Sequence, residues 1–151
     1  MKVEIKQAEN QYILRLNYGV QSSPSDSWEL LATNQGFEKW FPQLRVETDH
    51  LVFEMDDFRE VMPLLSYQPE SHIAYEWDRA QVCFHIKDQQ IVFEEIIPFD
   101  FGNEFADAKK DMTGWLVQND CIKALLNAKK LPDRAALREK WSAYLEKELN
   151  G

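Results

Sequence analysis

The chain has 151 residues, a length that fits one domain over 1–151 and that buries about two-thirds of the surface its unfolded form exposes. A hydrophobic share of 44% and an aromatic share of 13% exclude a disordered chain, and a formal net charge of −9 repels a phosphate backbone, which excludes nucleic acid as a partner. Cys83 and Cys121 stand far apart without a CxxC pattern, and no apolar run approaches the roughly 20 residues of a membrane span, so the expectation is a soluble, cytoplasmic protein with no cofactor motif.

Tyr12, Leu14, Leu16, Tyr18 and Val20 recur every second residue, which predicts a strand with one buried face. Gln21-Ser22-Ser23-Pro24 is turn chemistry, after which Ser25 or Asp26 is the expected cap of a short helix carrying Trp28, Leu31 and Ala32. Gly36 is expected to interrupt that helix before Phe37–Phe41, and Pro42 to stop any helical run. Between Pro42 and Pro98 the period is two: Leu51, Phe53 and Met55, then Ile73, Tyr75 and Trp77, then Val82, Phe84 and Ile86.

Turn signals at Asp56-Asp57, Gln68-Pro69-Glu70-Ser71 and Asp88-Gln89 predict hairpins, hence an antiparallel meander. Ile91–Ile97 is apolar on both parities, which predicts burial on both faces or a bulge.

From Asp107 to about Lys130 the period turns helical, with Ala108, Met112, Trp115, Leu116, Ile122 and Leu126 on one face. Leu131-Pro132-Asp133 breaks it, and Leu137, Trp141, Tyr144, Leu145 and Leu149 mark a second amphipathic helix capped by Asp133. From Asp107 onward nine Lys/Arg face seven Asp/Glu, so the earlier residues carry eight and nineteen, and a mildly basic C-terminal part is expected to lie across an acidic sheet. The order predicts an α+β fold in which a curved antiparallel sheet of about six or seven strands wraps one long helix and leaves a cavity.

The Trp28 helix, the run Gly36-Phe37-Glu38-Lys39-Trp40-Phe41, the strand Tyr75-Glu76-Trp77 and the late Gly114-Trp115 before a Leu-rich helix together resemble the START-like (SRPBCC) superfamily. Within it they resemble small bacterial proteins of the activator of heat-shock-protein ATPase homologue family, over roughly Tyr12 to Leu126. The resemblance implies a helix-grip fold with two short helices after the first strand and a cavity for a small hydrophobic or lipid-like molecule. It also implies two alternatives: a co-chaperone-like interaction protein touching a heat-shock-protein ATPase, and a polyketide cyclase/dehydratase-like enzyme. No shared catalytic motif carries across, and fold likeness does not choose among the three. Two features depart from the family: Met1 to Gln11 offers another strand, and the added helix after Pro132 covers either its own barrel or a neighbouring copy's, which is the homodimer reading.

Asn119 falls near the centre of the long helix's apolar face, between Trp115 and Ile122. It either orients the polar group of a ligand or satisfies itself on a backbone carbonyl or water. Trp28, Trp40, Trp77 and Trp115 either line a pocket for a flat apolar molecule or pack as core, and Tyr75, Phe84, Met112, Leu116 and Ile122 point toward the same interior. Pro98 to Phe105 sets Phe99, Phe101 and Phe105 around Gly102, the composition of a lid or of a tucked helix entry.

Glu95 shares parity with Ile91, Phe93 and Ile97, and if buried its pKa rises and it donates a hydrogen bond. Glu76, Asp78, Glu54 and Asp56 fall on the water side. His50, His72 and His85 are scattered, and no metal site is visible by spacing.

Overall fold

The computed structural model describes residues 1–149 and the backbone of residue 150. Eight strands form one antiparallel sheet: β1 (Lys2–Ala8), β2 (Gln11–Gly19), β3 (Leu44–Glu47), β4 (His50–Met55), β5 (Phe58–Gln68), β6 (His72–Trp77), β7 (Ala80–Lys87) and β8 (Gln90–Pro98). Their order is β1-β2-β8-β7-β6-β5-β4-β3. Two short helices, α1 (Pro24–Ala32) and α2 (Asn34–Trp40), follow β2, and two longer ones, α3 (Ala108–Leu126) and α4 (Arg134–Asn150), close the chain.

The strand count exceeds the expected six or seven because Met1–Gln11 contributes β1, which pairs with β2 from Lys2↔Asn17 to Ala8↔Gln11. The short helices accordingly follow the second strand, not the first. The β1–β2, β4–β5, β5–β6, β6–β7 and β7–β8 pairs are joined by tight turns in which Glu9, Asn10, Asp56, Glu70, Asp78 and Gln89 take positive φ, a conformation that Asn and Asp tolerate best among residues with a side chain. Ile91–Ile97 has neither a bulge nor full burial on both faces: β8 keeps continuous register with β2 and β7, Ile91, Phe93, Glu95 and Ile97 are buried on the inner parity, and of the outer parity only Val92 is buried while Glu94 and Ile96 are partly exposed. The register shift lies instead in β5, between Leu64 and Ser66.

The α1 cap is Ser23, one turn signal earlier than expected, because Pro24 fits the first helical position and Ser23 Oγ accepts from the Asp26 amide at 3.1 Å. Gly36 does not interrupt a helix; it lies inside α2, whose cap is Thr33. A Cβ on Gly36 would sit 2.1 Å from the Glu29 carbonyl oxygen and 2.2 Å from that of Leu30, so glycine is what lets α2 cross the end of α1.

Asp107 caps α3 through the Lys110 amide at 2.8 Å. The predicted face of α3 turns onto the sheet. Trp115 meets Trp77 of β6 at 5.1 Å, Phe84 of β7 at 6.2 Å, Phe93 of β8 at 5.1 Å and Trp40 of α2 at 6.4 Å between ring centroids. These rings fill the space between helix and sheet, at the close packing expected of a protein interior.

Asp133 caps α4 through the Ala135 amide at 3.0 Å. That helix packs on its own α3: Trp141 Nε1 donates to Asp120 at 2.6 Å, Arg134 to Gln118 at 3.0 Å, and Lys109 pairs with Glu146. No helix among the described residues is long and apolar enough to cross a membrane.

Candidate functional site

At one end of the sheet, α2, β4, β5, β6, the 102–106 loop and the first turns of α3 and α4 leave a cleft of about 620 Å³. Its walls are aromatic for a local reason: Phe41 follows α2 in a non-helical conformation, Phe53 and Phe58 flank the β4–β5 turn, and Phe105 drops onto both. Phe53 meets Phe41, Trp77 and Phe105 at 6.0–6.1 Å, each near edge-to-face, an arrangement that holds rings in place while leaving their outer faces free. Gln118, Arg134 and Arg138 line the helical side. Arg134 is tied to the Trp40 carbonyl at 2.9 Å, whereas exposed Arg138 has no hydrogen bond or ion pair among the described residues.

Asp111, in the first turn of α3, also lines the cleft and accepts from Trp77 Nε1 at 3.0 Å. Beneath it lies Glu95, fully buried on the inner face of β8, with no hydrogen bond of good geometry to either carboxyl oxygen among the described residues. Burial first, and then the charge of Asp111, hold the Glu95 carboxyl well above its ordinary 4.5. Asp111 is also raised by burial, while the facing Glu95 carboxyl and the hydrogen bond from the Trp77 indole pull it the other way. Tyr75, fully buried, is raised by burial and by Glu95, and its hydroxyl is likewise unpartnered among the described residues.

Of the residues expected at a ligand site, Trp40 and Trp77 line the cleft, and Trp115 lines an adjoining hollow of about 220 Å³ together with Trp77 and Asp111. Tyr75, Phe84, Met112, Leu116 and Ile122 are fully buried in the core. Asn119 is satisfied internally: its Oδ1 accepts from the Tyr18 hydroxyl at 2.7 Å and its Nδ2 donates to the Trp115 carbonyl at 2.9 Å. Trp28 packs against Tyr67, Phe99 lies on Tyr12, and Phe101 is buried, so only Asn103, Phe105 and Ala106 of that loop reach the cleft.

Phe53, Phe58 and Asp111 were not singled out from the sequence. The hairpin pairing Met55↔Phe58 brings the first two together, a register no spacing rule supplies. The same holds for a trio on the opposite face of the sheet, His72, Cys83 and His85, whose ligating atoms all lie within 4.8 Å of one another.

The fold matches solved structures over most of the chain. A conserved protein of unknown function from Enterococcus faecalis, EF2215, aligns with a TM-score of 0.82 at 23% identity, covering 99% of this chain and 91% of that one. CalU16 from Micromonospora echinospora aligns at 0.62 and 10% identity over 95% and 96%. The Aha1 dimer from Colwellia psychrerythraea aligns at 0.58 and 16% identity over 78% and 98%. The chain therefore has the fold of SRPBCC/Aha1-like domains, as its spaced aromatics suggest. No family model and no curated protein matches the sequence.

Proposed function

We propose that this protein binds a small hydrophobic or lipid-like molecule in the aromatic cleft. The carrying observation is the cleft itself: about 620 Å³, with one wall of Phe41, Phe53, Phe58, Trp77 and Phe105 and a polar remainder that includes Glu60, Asp78 and Asp111 as well as the cations Lys39 and Arg138, for neither of which an ion pair is seen among the described residues. Ligand sites of this size bury most of a small molecule against apolar walls and fix its orientation by a few placed polar groups. Here Asp111 supplies a polar group on the lining, with Glu95 buried beneath it, and Arg138 suits an acidic head group. The resemblance supports this reading, although the cleft lies at the end of the helix–sheet layer and not between α3 and the sheet.

Native mass spectrometry of protein purified from its own host tests the reading. A retained molecule, lost in Phe53→Arg, supports it; a bare chain that also fails to take up apolar probes rejects it. The same spectrum reads the subunit count, which bears on the homodimer reading, since the Colwellia protein is described as a dimer.

A second reading, an enzyme of the cyclase or dehydratase type, draws on one observation: Glu95, Asp111 and Tyr75 converge below the cleft with unsatisfied polar atoms. A neutral carboxyl beside a carboxylate is the arrangement general acid–base chemistry uses. Retention of the same molecule by Asp111→Asn, together with loss of its turnover, would favour the enzyme; unchanged turnover would remove it.

A further inference from the structure

The outer face of the sheet carries a cluster that the cleft does not use. His72 opposes His85 across β6 and β7, and Cys83 stands two residues from His85 on the same face of β7. Cys83 Sγ lies 3.2 Å from His72 Nε2 and 3.1 Å from His85 Nε2, and the two imidazole rings are 4.4 Å apart. Both imidazoles therefore present the same nitrogen to one sulfur. His72 is held on its other side, Nδ1 to Ser66 Oγ at 2.7 Å, which permits the tautomer that leaves Nε2 unprotonated.

We infer that His72, Cys83 and His85 form a three-ligand site for a borderline-soft divalent ion of the zinc type, with its fourth position open to solvent. The geometry supports this directly. Tetrahedral zinc, with Zn–S about 2.3 Å and Zn–N about 2.0–2.1 Å, places sulfur and nitrogen about 3.5 Å apart. The two sulfur–nitrogen distances need to open by only a few tenths of an ångström to match.

The ligand set is one thiolate and two imidazoles, which selects zinc-class ions over magnesium or calcium. Ser66 does what an outer partner does in such sites, fixing ring orientation from the far nitrogen. The fourth direction is open because His85 is exposed, while Cys83 and His72 are half-buried in the strands. Glu94 faces Cys83 across β7 and β8 and supplies negative charge beside the site. On binding, the Cys83 S–H bond breaks, its electron pair goes to the metal, and its proton leaves to solvent.

The test uses the full-length chain without a histidine tag, reduced and stripped with a chelator. It is titrated with zinc ion against a chromophoric chelator, and separately with cobalt ion. The expected result is one ion per chain and a thiolate-to-cobalt charge-transfer band. Cys83→Ser should remove the band and His85→Asn should weaken zinc by about 100-fold or more, while Ser66→Ala, outside the ligand set, weakens it about 10-fold. Cys121→Ser, altering the other cysteine, should leave both readouts unchanged. Far-UV circular dichroism checks each variant, and because His85 is exposed His85→Asn keeps the test valid even if Cys83→Ser misfolds. Cobalt bound without a thiolate band, or zinc affinity equal in wild type and His85→Asn, overturns the site.

Discussion

Replacing Glu95 with glutamine should change how stability depends on pH. In the folded protein the Glu95 carboxyl is fully buried, and burial followed by the Asp111 charge raises it well above its ordinary 4.5; in the unfolded chain it returns to that value. Between these two values the folded state holds one proton more than the unfolded state. The stabilisation is therefore complete below pH 4.5 and is lost as pH rises toward the folded-state value.

One retained proton gives a limiting slope of about 1.4 kcal/mol per pH unit, so wild type should lose stability from this group at up to that rate as pH rises from 4.5 toward the folded-state value. Glu95→Gln has no proton to lose and should not show that slope. Urea unfolding of both proteins at three pH values across the interval measures the difference, provided the m-value stays constant. Parallel stability curves would refute the claim that a buried carboxyl with a raised pKa sits below the cleft.

Gly36→Ala should destabilise the protein by about 3 kcal/mol or more, read from thermal or urea melts, because its Cβ has no room against the α1 carbonyls at 2.1 and 2.2 Å. Asn119→Ala should cost about 1–3 kcal/mol in the same assay, since it leaves the buried Tyr18 hydroxyl without its acceptor. Arg138→Glu, at the cleft mouth, should weaken an acidic apolar probe about 10-fold while leaving a neutral probe of the same shape nearly unaffected.

Elements whose apolar side chains keep a simple period were legible in the sequence. The Leu14–Tyr18 alternation of β2, the Met112–Leu126 face of α3 and the Asp133 cap of α4 each depend on neighbours within one or two turns of chain. The β1 strand was visible only as an extension, because Lys2, Glu4 and Lys6 alternate with just Val3 and Ile5 on the inner parity. Gly36 was misread because its role is a close approach between two helices, which local rules treat as a break.

For the candidate site, parity placed Glu95 inside and implied its raised pKa. Asp111, its partner, reads as an ordinary polar residue in a helix's first turn and becomes distinctive only when α3 lies over β8. Asn119 was correctly placed in the interior, but whether it faced a ligand or Tyr18 depended on a contact 101 residues away. The cleft aromatics and the His72, Cys83 and His85 trio depend on strand register in the same way.

The central claim, a small apolar molecule seated against Phe53, Phe58 and Trp77, is tested most directly by the indole N–H resonances of the five tryptophans. Their hydrogen-bond partners differ, with Trp77 on Asp111, Trp40 on the Leu30 carbonyl and Trp141 on Asp120. On titration with an apolar carboxylic acid, the Trp77 resonance should move in a saturable manner while that of Trp141 stays fixed. A Trp77 signal that remains still, or all five drifting together without saturation, would contradict the account.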